Sequence, residues 1–188
     1  MAELPTDFYD TMKPDLHSRI GRELHSARRI LDLGCGSCEL VRYLADHYEQ
    51  DVTGIDISAK HFPDTQHSDR GVGFTCLERD AAQLQEIGDA SVDAVVTMWA
   101  LHEMARPDRM LAESLRVLKP SGKVLVVDFP KDSLAQTLWD EAYREPGEIR
   151  QLLADAGFAR VQVRLIARRQ VIWATGVRPA SRTARRPA

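Results

Sequence analysis

The sequence predicts one α/β domain: a mostly parallel sheet with helices on both faces, closed at its C-terminal end by an antiparallel hairpin. Three observations predict it. Short apolar runs alternate with helix-spaced segments, the pattern of a parallel sheet covered on both sides. The run Lys123 to Phe129 (KVLVVDF) is continuously apolar at its centre, as a strand buried on two faces must be. Finally, the strand-like runs Arg160 to Arg168 and Gln170 to Val177 follow one another too closely for a crossover helix, so they pair antiparallel.

The elements read in order. Residues 1–27 form an N-terminal helical segment, with Phe8 and Tyr9 ahead of the first helix. Arg29 to Leu33 is the first strand, stopped by Gly34. Cys38 to Tyr48 places Leu40, Val41, Leu44, Ala45 and Tyr48 on one side of a helix. Asp51 to Ile57, Val72 to Leu77 and Val92 to Met98 are the next three strands, and Lys123 to Phe129 is the fifth. Between the last two lies an amphipathic helix, Pro107 to Leu118, expected to end in a turn at Lys119-Pro120-Ser121-Gly122. Glu148 to Ala156 is a helix stopped by Gly157. The domain then spans residues 28–178, and residues 179–188 continue the basic stretch that opens at Arg178 as a solvated tail.

Size and composition narrow the function. A chain of 188 residues fits one domain with one continuous core. With 44% hydrophobic and 28% charged residues it is neither disordered nor fibrous. A net charge of -3 suits no electrostatic nucleic-acid binder, so nucleic acid is not the expected partner. No apolar run approaches the roughly 20 residues that span a bilayer, and the N-terminus does not read as a secretion signal. Three cysteines, Cys35, Cys38 and Cys76, are few and odd in number, and the expectation is free thiols in a reducing cytoplasm.

The residues that carry chemistry begin at Ile30-Leu31-Asp32-Leu33-Gly34-Cys35-Gly36-Ser37-Cys38-Glu39-Leu40, a strand running into a glycine-rich turn that opens a helix. Glycine lets the turn tighten and lets a ligand approach the backbone. The free N–H groups at the helix start favour polar or anionic ligand groups. Asp56 ends the second strand, 22 residues beyond Gly34. Ligands of open α/β sheets bind beyond the carboxyl ends of the strands, where a carboxylate accepts both hydroxyls of a ribose. The bland alternative is a cap on a helix after Ile57. In Arg79-Asp80-Ala81, Asp80 either accepts the amino group of adenine, with the next N–H facing a ring nitrogen, or caps a helix.

At this point the chain resembles the class I S-adenosylmethionine-dependent methyltransferases, in the small-molecule branch similar to the ubiquinone/menaquinone-biosynthesis enzymes (methyltransferase type 11). The residues that carry the resemblance are ILDLGCGSCEL (30–40), VTGIDIS (52–58), ERDAAQL (78–84), VDAVVTMWALHEM (92–104) and LRVLKPSGKVLVVDF (115–129). The resemblance implies a Rossmann-like sheet of seven strands with the last reversed, and S-adenosylmethionine as cofactor, S-adenosylhomocysteine being its product. It implies that Gly34, Cys35 and Gly36 lie against the cofactor and that Asp32 orients its amino-acid part. Asp56 with Ile57 would then hold the ribose side, Asp80 with Ala81 the adenine, and Met98 with Trp99 the methionine end. N-terminal aromatics such as Tyr9 often close over the cofactor in that branch, which would make residues 1–27 a lid; the alternative is that Phe8 and Tyr9 simply pack on the domain. Two departures stand out. Cys38 and Glu39 stand where the family often has a third small residue. The segment Pro130 to Gly147 is also short where relatives carry a substrate lid, leaving the acceptor site open or completed by the N-terminal segment or a second chain.

For methyl transfer that needs a base, His102 is the candidate and Glu103 its orienting partner, because histidine titrates near neutrality. The alternative is that both begin the next helix and face solvent. Cys35 and Cys38 form a Cys-x-x-Cys, but structural zinc needs two further ligands and no second cluster is visible, so no metal is expected. A nicotinamide enzyme needs glycine at the position of Glu39, whose charge would face the pyrophosphate. A non-catalytic S-adenosylmethionine-binding or interaction protein, and a methyltransferase acting on protein or nucleic acid, are the remaining alternatives. A small-molecule acceptor, no membrane partner and a cytoplasmic location are expected. A homodimer is compatible with the sequence.

Overall fold

Residues 4–67 and 70–180 are described by the computed structural model. The strands β1 (Arg29–Leu33), β2 (Asp51–Asp56), β3 (Thr75–Glu78), β4 (Val92–Met98), β5 (Leu118–Asp128), β6 (Ala159–Ile166) and β7 (Val171–Val177) form one sheet in the order β3-β2-β1-β4-β5-β7-β6. β7 runs antiparallel to both its neighbours, and the other pairings are parallel. Strand order reverses at β1, which pairs with β2 on one side and β4 on the other. That switch point leaves a crevice beyond the strand ends, where ligands of such sheets bind.

The helices are α1 (Phe8–Glu23), α2 (Glu39–Tyr48), α3 (Pro107–Val117), α4 (Leu134–Trp139) and α5 (Pro146–Asp155). On one face α1, α2 and α4 cover Ile30, Val96, Val127 and Trp173. On the other, α3 and α5 cover Leu31, Val95, Val126 and Ile172. Adjacent residues Val95 and Val96 fall in opposite cores because a strand alternates its side chains. Each such side chain contributes roughly 1.5–3 kcal/mol by leaving water, so the sheet is secured from both sides.

Several local expectations are corrected. The stretch Lys119–Gly122 is not a turn closing a helix. α3 ends at Val117 and β5 starts at Leu118, with a register shift in which Val92 pairs with Leu118 but Ala94 with Lys123. The irregularity accommodates Pro120, which has no N–H for a ladder, and Gly122, whose Cβ would lie 2.8 Å from the Lys119 carbonyl. Phe8 and Tyr9 lie inside α1 rather than ahead of it. Between β2 and β3 the described residues hold one turn of 3₁₀-helix, Ala59–His61, capped by Ser58, so Asp56 has no following α-helix to cap. The Arg178 guanidinium donates to the carbonyls of Arg116 and Leu118. Residues 181–188 of the basic tail lie outside the described residues.

The cysteines are the largest correction. Cys38 and Cys76 form a disulfide across 38 residues, and Cys35 keeps a free thiol. β3 lies beside β2, which brings Cys76 next to the turn after β1. Sequence spacing contains no trace of that neighbourhood.

Candidate cofactor and active site

The turn after β1 is shaped by what surrounds it. Gly34 has φ +78°, and a Cβ there would collide with that of Ala100. The N–H groups of Gly34 and Cys35 both donate to the Ile55 carbonyl, at 2.7 and 3.1 Å, tying the turn to β2. Asp56 secures it further, its Oδ2 accepting the Gly36 N–H at 2.8 Å and its Oδ1 the Ser58 N–H at 3.1 Å. A carboxylate has about four acceptor positions, so Asp56 retains capacity for a ligand.

A cavity of about 460 Å³ opens at this point. Asp32, Gly34, Cys35 and Gly36 form its floor. Asp56 and Ile57 come from the end of β2, Asp80 and Ala81 from beyond β3, and Met98 and Trp99 from the end of β4. Four strand tips, those of β1, β2, β3 and β4, thus meet on one space. Glu103 also lines it. Tyr9 does not. It is buried against Phe129, Trp99 and Trp139, and its hydroxyl donates to Gln170 Oε1 at 3.1 Å while accepting the Ala135 N–H at 3.0 Å. Tyr9 therefore joins α1 to α4 and the terminal hairpin.

Sequence reasoning missed Lys13 and His17 of α1, which form another wall of the cavity. They stand at i and i+4 on one helix face, but nothing local says which face meets the cavity. Lys13 pairs with Glu39 at 3.1 Å, bridging α1 and α2. Burial pulls His17 down to about 4, more than Glu39 raises it, so the imidazole is neutral at pH 7. Asp80 is already engaged: its carboxylate accepts the Ala82 N–H at 2.8 Å and faces Gln83 and Arg106. Those contacts, the Ala82 bond first, hold it below the usual carboxylate range.

Asp32 is the electrostatic anomaly. It is buried, and its Oδ1 has no hydrogen-bond partner. Burial, reinforced by the nearby Asp56 charge, raises it to about 7. A buried carboxylate without a partner costs several kcal/mol of lost hydration unless it is neutralised or paired.

His102 sits in a one-turn 3₁₀ segment, Leu101–Glu103, with its side chain only 5% exposed. Its Nδ1 lies 2.7 Å from Asp128 Oδ1, at the end of β5, and Nε2 lies 3.1 Å from Glu141 Oε2. Glu103 Oε1 is more distant, at 3.8 Å from Nε2. The partner that orients His102 is Asp128, not Glu103, and the histidine is buried rather than facing solvent. Burial alone would lower its pKa, but the Asp128 hydrogen bond and the charges of Asp128, Glu103 and Glu141 raise it overall. Nothing local announces Asp128, because it comes from a strand 26 residues away.

The residues present fit S-adenosylmethionine. The orphaned Asp32 oxygen lacks a cationic partner, which the ammonium of the cofactor's amino-acid part would supply. Gly36 has open space where a Cβ would stand, and Ile57 leaves 77% of its surface exposed beside Asp56, an apolar face available to a base. The volume falls in the range of small-molecule and cofactor sites.

Comparison with known proteins agrees. The model of the family described as "Methyltransferase domain" matches residues 31–126. The chain is 35% identical over 114 residues to the 27-O-demethylrifamycin SV methyltransferase of Amycolatopsis mediterranei, covering 56% of this chain and 40% of that protein. It is 34% identical over 110 residues to an S-adenosyl-L-methionine-dependent Diels-Alderase of Talaromyces variabilis, covering 56% of this chain and 37% of that one. The chain therefore spans well under two thirds of either relative. A solved S-adenosylmethionine-dependent methyltransferase from Archaeoglobus fulgidus superimposes with a TM-score of 0.71 over 90% of this chain and 97% of that one, at 15% identity, a likeness of fold. A family match spanning half the chain, on a sheet of this order, makes the chain a member of the class I S-adenosylmethionine-dependent methyltransferase family.

Proposed function

We propose that the chain transfers the methyl group of S-adenosylmethionine to a small-molecule acceptor, with His102 as the base where the acceptor must lose a proton. One observation carries the reading: Asp32, Asp56 and the Gly34–Gly36 turn converge on a cavity that continues to Trp99 and Glu103. The cofactor, when bound, supplies a methyl group already activated on a sulfonium. The chain's own task is then placement. Asp32 would pair with the ammonium, Asp56 would accept the ribose hydroxyls, and Ile57 with Ala81 would cover the adenine. Lys13, on the facing helix, is placed to exchange Glu39 for the cofactor's carboxylate. Correct alignment of two reactants contributes about 7–11 kcal/mol toward a barrier, so positioning alone accounts for much of the rate.

Asp128 would hold the proton of His102 on Nδ1 and leave Nε2 toward Glu141 and Glu103. His102 accepts an acceptor's proton only after its own Nε2 proton has left, so activity should rise with pH.

The test is release of S-adenosylhomocysteine on a panel of phenolic and amine small molecules, for wild type and His102→Ala. Acceptor-dependent release that His102→Ala slows at least tenfold supports the assignment. Tight cofactor binding with no release on any acceptor favours a protein that uses the cofactor without consuming it. Equal turnover by His102→Ala removes the base.

A further inference from the structure

The three sulfurs of Cys35, Cys38 and Cys76 converge. Their Sγ atoms lie within 4.8 Å of one another, and all three side chains are buried. Cys35 comes from the β1–α2 turn, Cys38 from the residue that precedes α2, and Cys76 from β3. Gly54 of β2 makes room for them. It is the register partner of Cys76, and a Cβ on it would lie 2.7 Å from Cys35 Sγ and 2.9 Å from Cys35 Cβ. A disulfide that merely braced the turn to β3 would need two cysteines. It does not account for a third thiol 3.5 Å from Cys38 Sγ.

We propose that, once the Cys38–Cys76 bond is reduced, the three cysteines bind one soft, thiolate-seeking d10 cation, of the zinc, cadmium or copper(I) kind, reached from the cofactor cavity. Metal–sulfur bonds of about 2.3 Å let two sulfurs on one ion stand up to about 4.6 Å apart, so small side-chain rotations suffice. Soft thiolates select this class of ion over magnesium or calcium. Cys35 is among the residues that line the cavity, which makes it the route by which an ion reaches the buried sulfurs. The Asp32 and Asp56 carboxylates line the same cavity as Cys35 and attract a cation toward it. The balance is simple. A dithiol or phosphine reductant delivers two electrons, two protons complete the Cys38 and Cys76 thiols, and the reductant is oxidised. Ion uptake then expels thiol protons to solvent.

The experiment uses the full chain, reduced with a phosphine under anaerobic conditions and freed of reductant. Cadmium is titrated in while the ultraviolet thiolate-to-metal charge-transfer band is followed, and a competing chelator sets the affinity. X-ray absorption at the cadmium edge counts the sulfur ligands. The expected result is one ion per chain with three sulfurs, at least tenfold weaker binding by Cys35→Ser, and no uptake by protein whose disulfide has been re-formed. Cys35→Ser binding as tightly as wild type, or two or fewer sulfurs on the wild-type ion, overturns the proposal. The sulfur count on wild type decides the matter even if the variant does not fold. Neither readout involves S-adenosylmethionine, so failure here leaves the methyl-transfer reading standing.

Discussion

Asp128 holds His102 at two points: its Oδ2 accepts the His102 backbone N–H at 3.0 Å, and its Oδ1 faces Nδ1 at 2.7 Å. Asp128 also accepts the Phe129 N–H at 2.9 Å, so the carboxylate, only 2% exposed, is well supplied with donors. The geometry fixes both the direction of the ring and the position of its proton.

Asp128→Asn should therefore lower the titration midpoint of His102, measured by NMR on the imidazole, and reduce turnover at least tenfold. The folded pKa of His102 is raised. Its stabilising contribution is complete below the unfolded value of about 6.5 and is lost as pH rises through the higher folded value. The variant should flatten that part of the stability–pH curve. An unmoved midpoint would remove Asp128 as the positioning residue.

Asp32 makes a second pH prediction. Its folded value of about 7 lies above its ordinary 3.8. Between these values the folded state keeps a proton that the unfolded chain releases, so stability falls as pH rises through the window. A cofactor ammonium would favour the ionised carboxylate, so S-adenosylhomocysteine should bind more tightly as pH climbs toward about 7. Calorimetry across that range should show proton release on binding in wild type and none attributable to this site in Asp32→Asn. A pH-independent affinity in wild type would contradict the pairing.

Asp56→Ala should weaken S-adenosylhomocysteine at least tenfold, about 1.4 kcal/mol. Two effects add. The ribose loses its acceptor, and the Gly36 N–H loses the partner that shapes the turn. Unchanged affinity by calorimetry would count against Asp56 in the cofactor site.

Tyr9→Phe separates a lid from a brace. The substitution leaves the Ala135 N–H unpaired and deletes the bond to Gln170. A buried donor without a partner costs roughly 1–3 kcal/mol, which urea unfolding should show as a lower midpoint. Cofactor affinity should be nearly unchanged, because Tyr9 lies outside the cavity wall. The reverse result, full stability with weakened binding, would return Tyr9 to the cofactor.

How much of this was legible beforehand differs by feature. The strand–glycine–helix segment 30–40 and the acidic strand ends at Asp56 and Asp80 are local patterns, and the structure brings them to one cavity. Adjacency in sequence suggests Glu103 as the partner of His102, yet on a 3₁₀ turn it stands 3.8 Å from Nε2. Lys119–Gly122 read as a turn because proline and glycine usually interrupt structure, but pairing with β4 carries the chain through it as irregular strand.

By itself, the sequence determined what depends on neighbours along the chain: strand and helix periodicity, the need for glycine at 34, and the reversed terminal hairpin. Tertiary structure alone decided that Asp128 meets His102, that Lys13 and His17 wall the cavity, and that Cys76 joins Cys35 and Cys38. The physical reason is that these contacts are set by the lateral order of strands and the docking of α1. Both come from burying two apolar faces at once, and no short-range pattern records them.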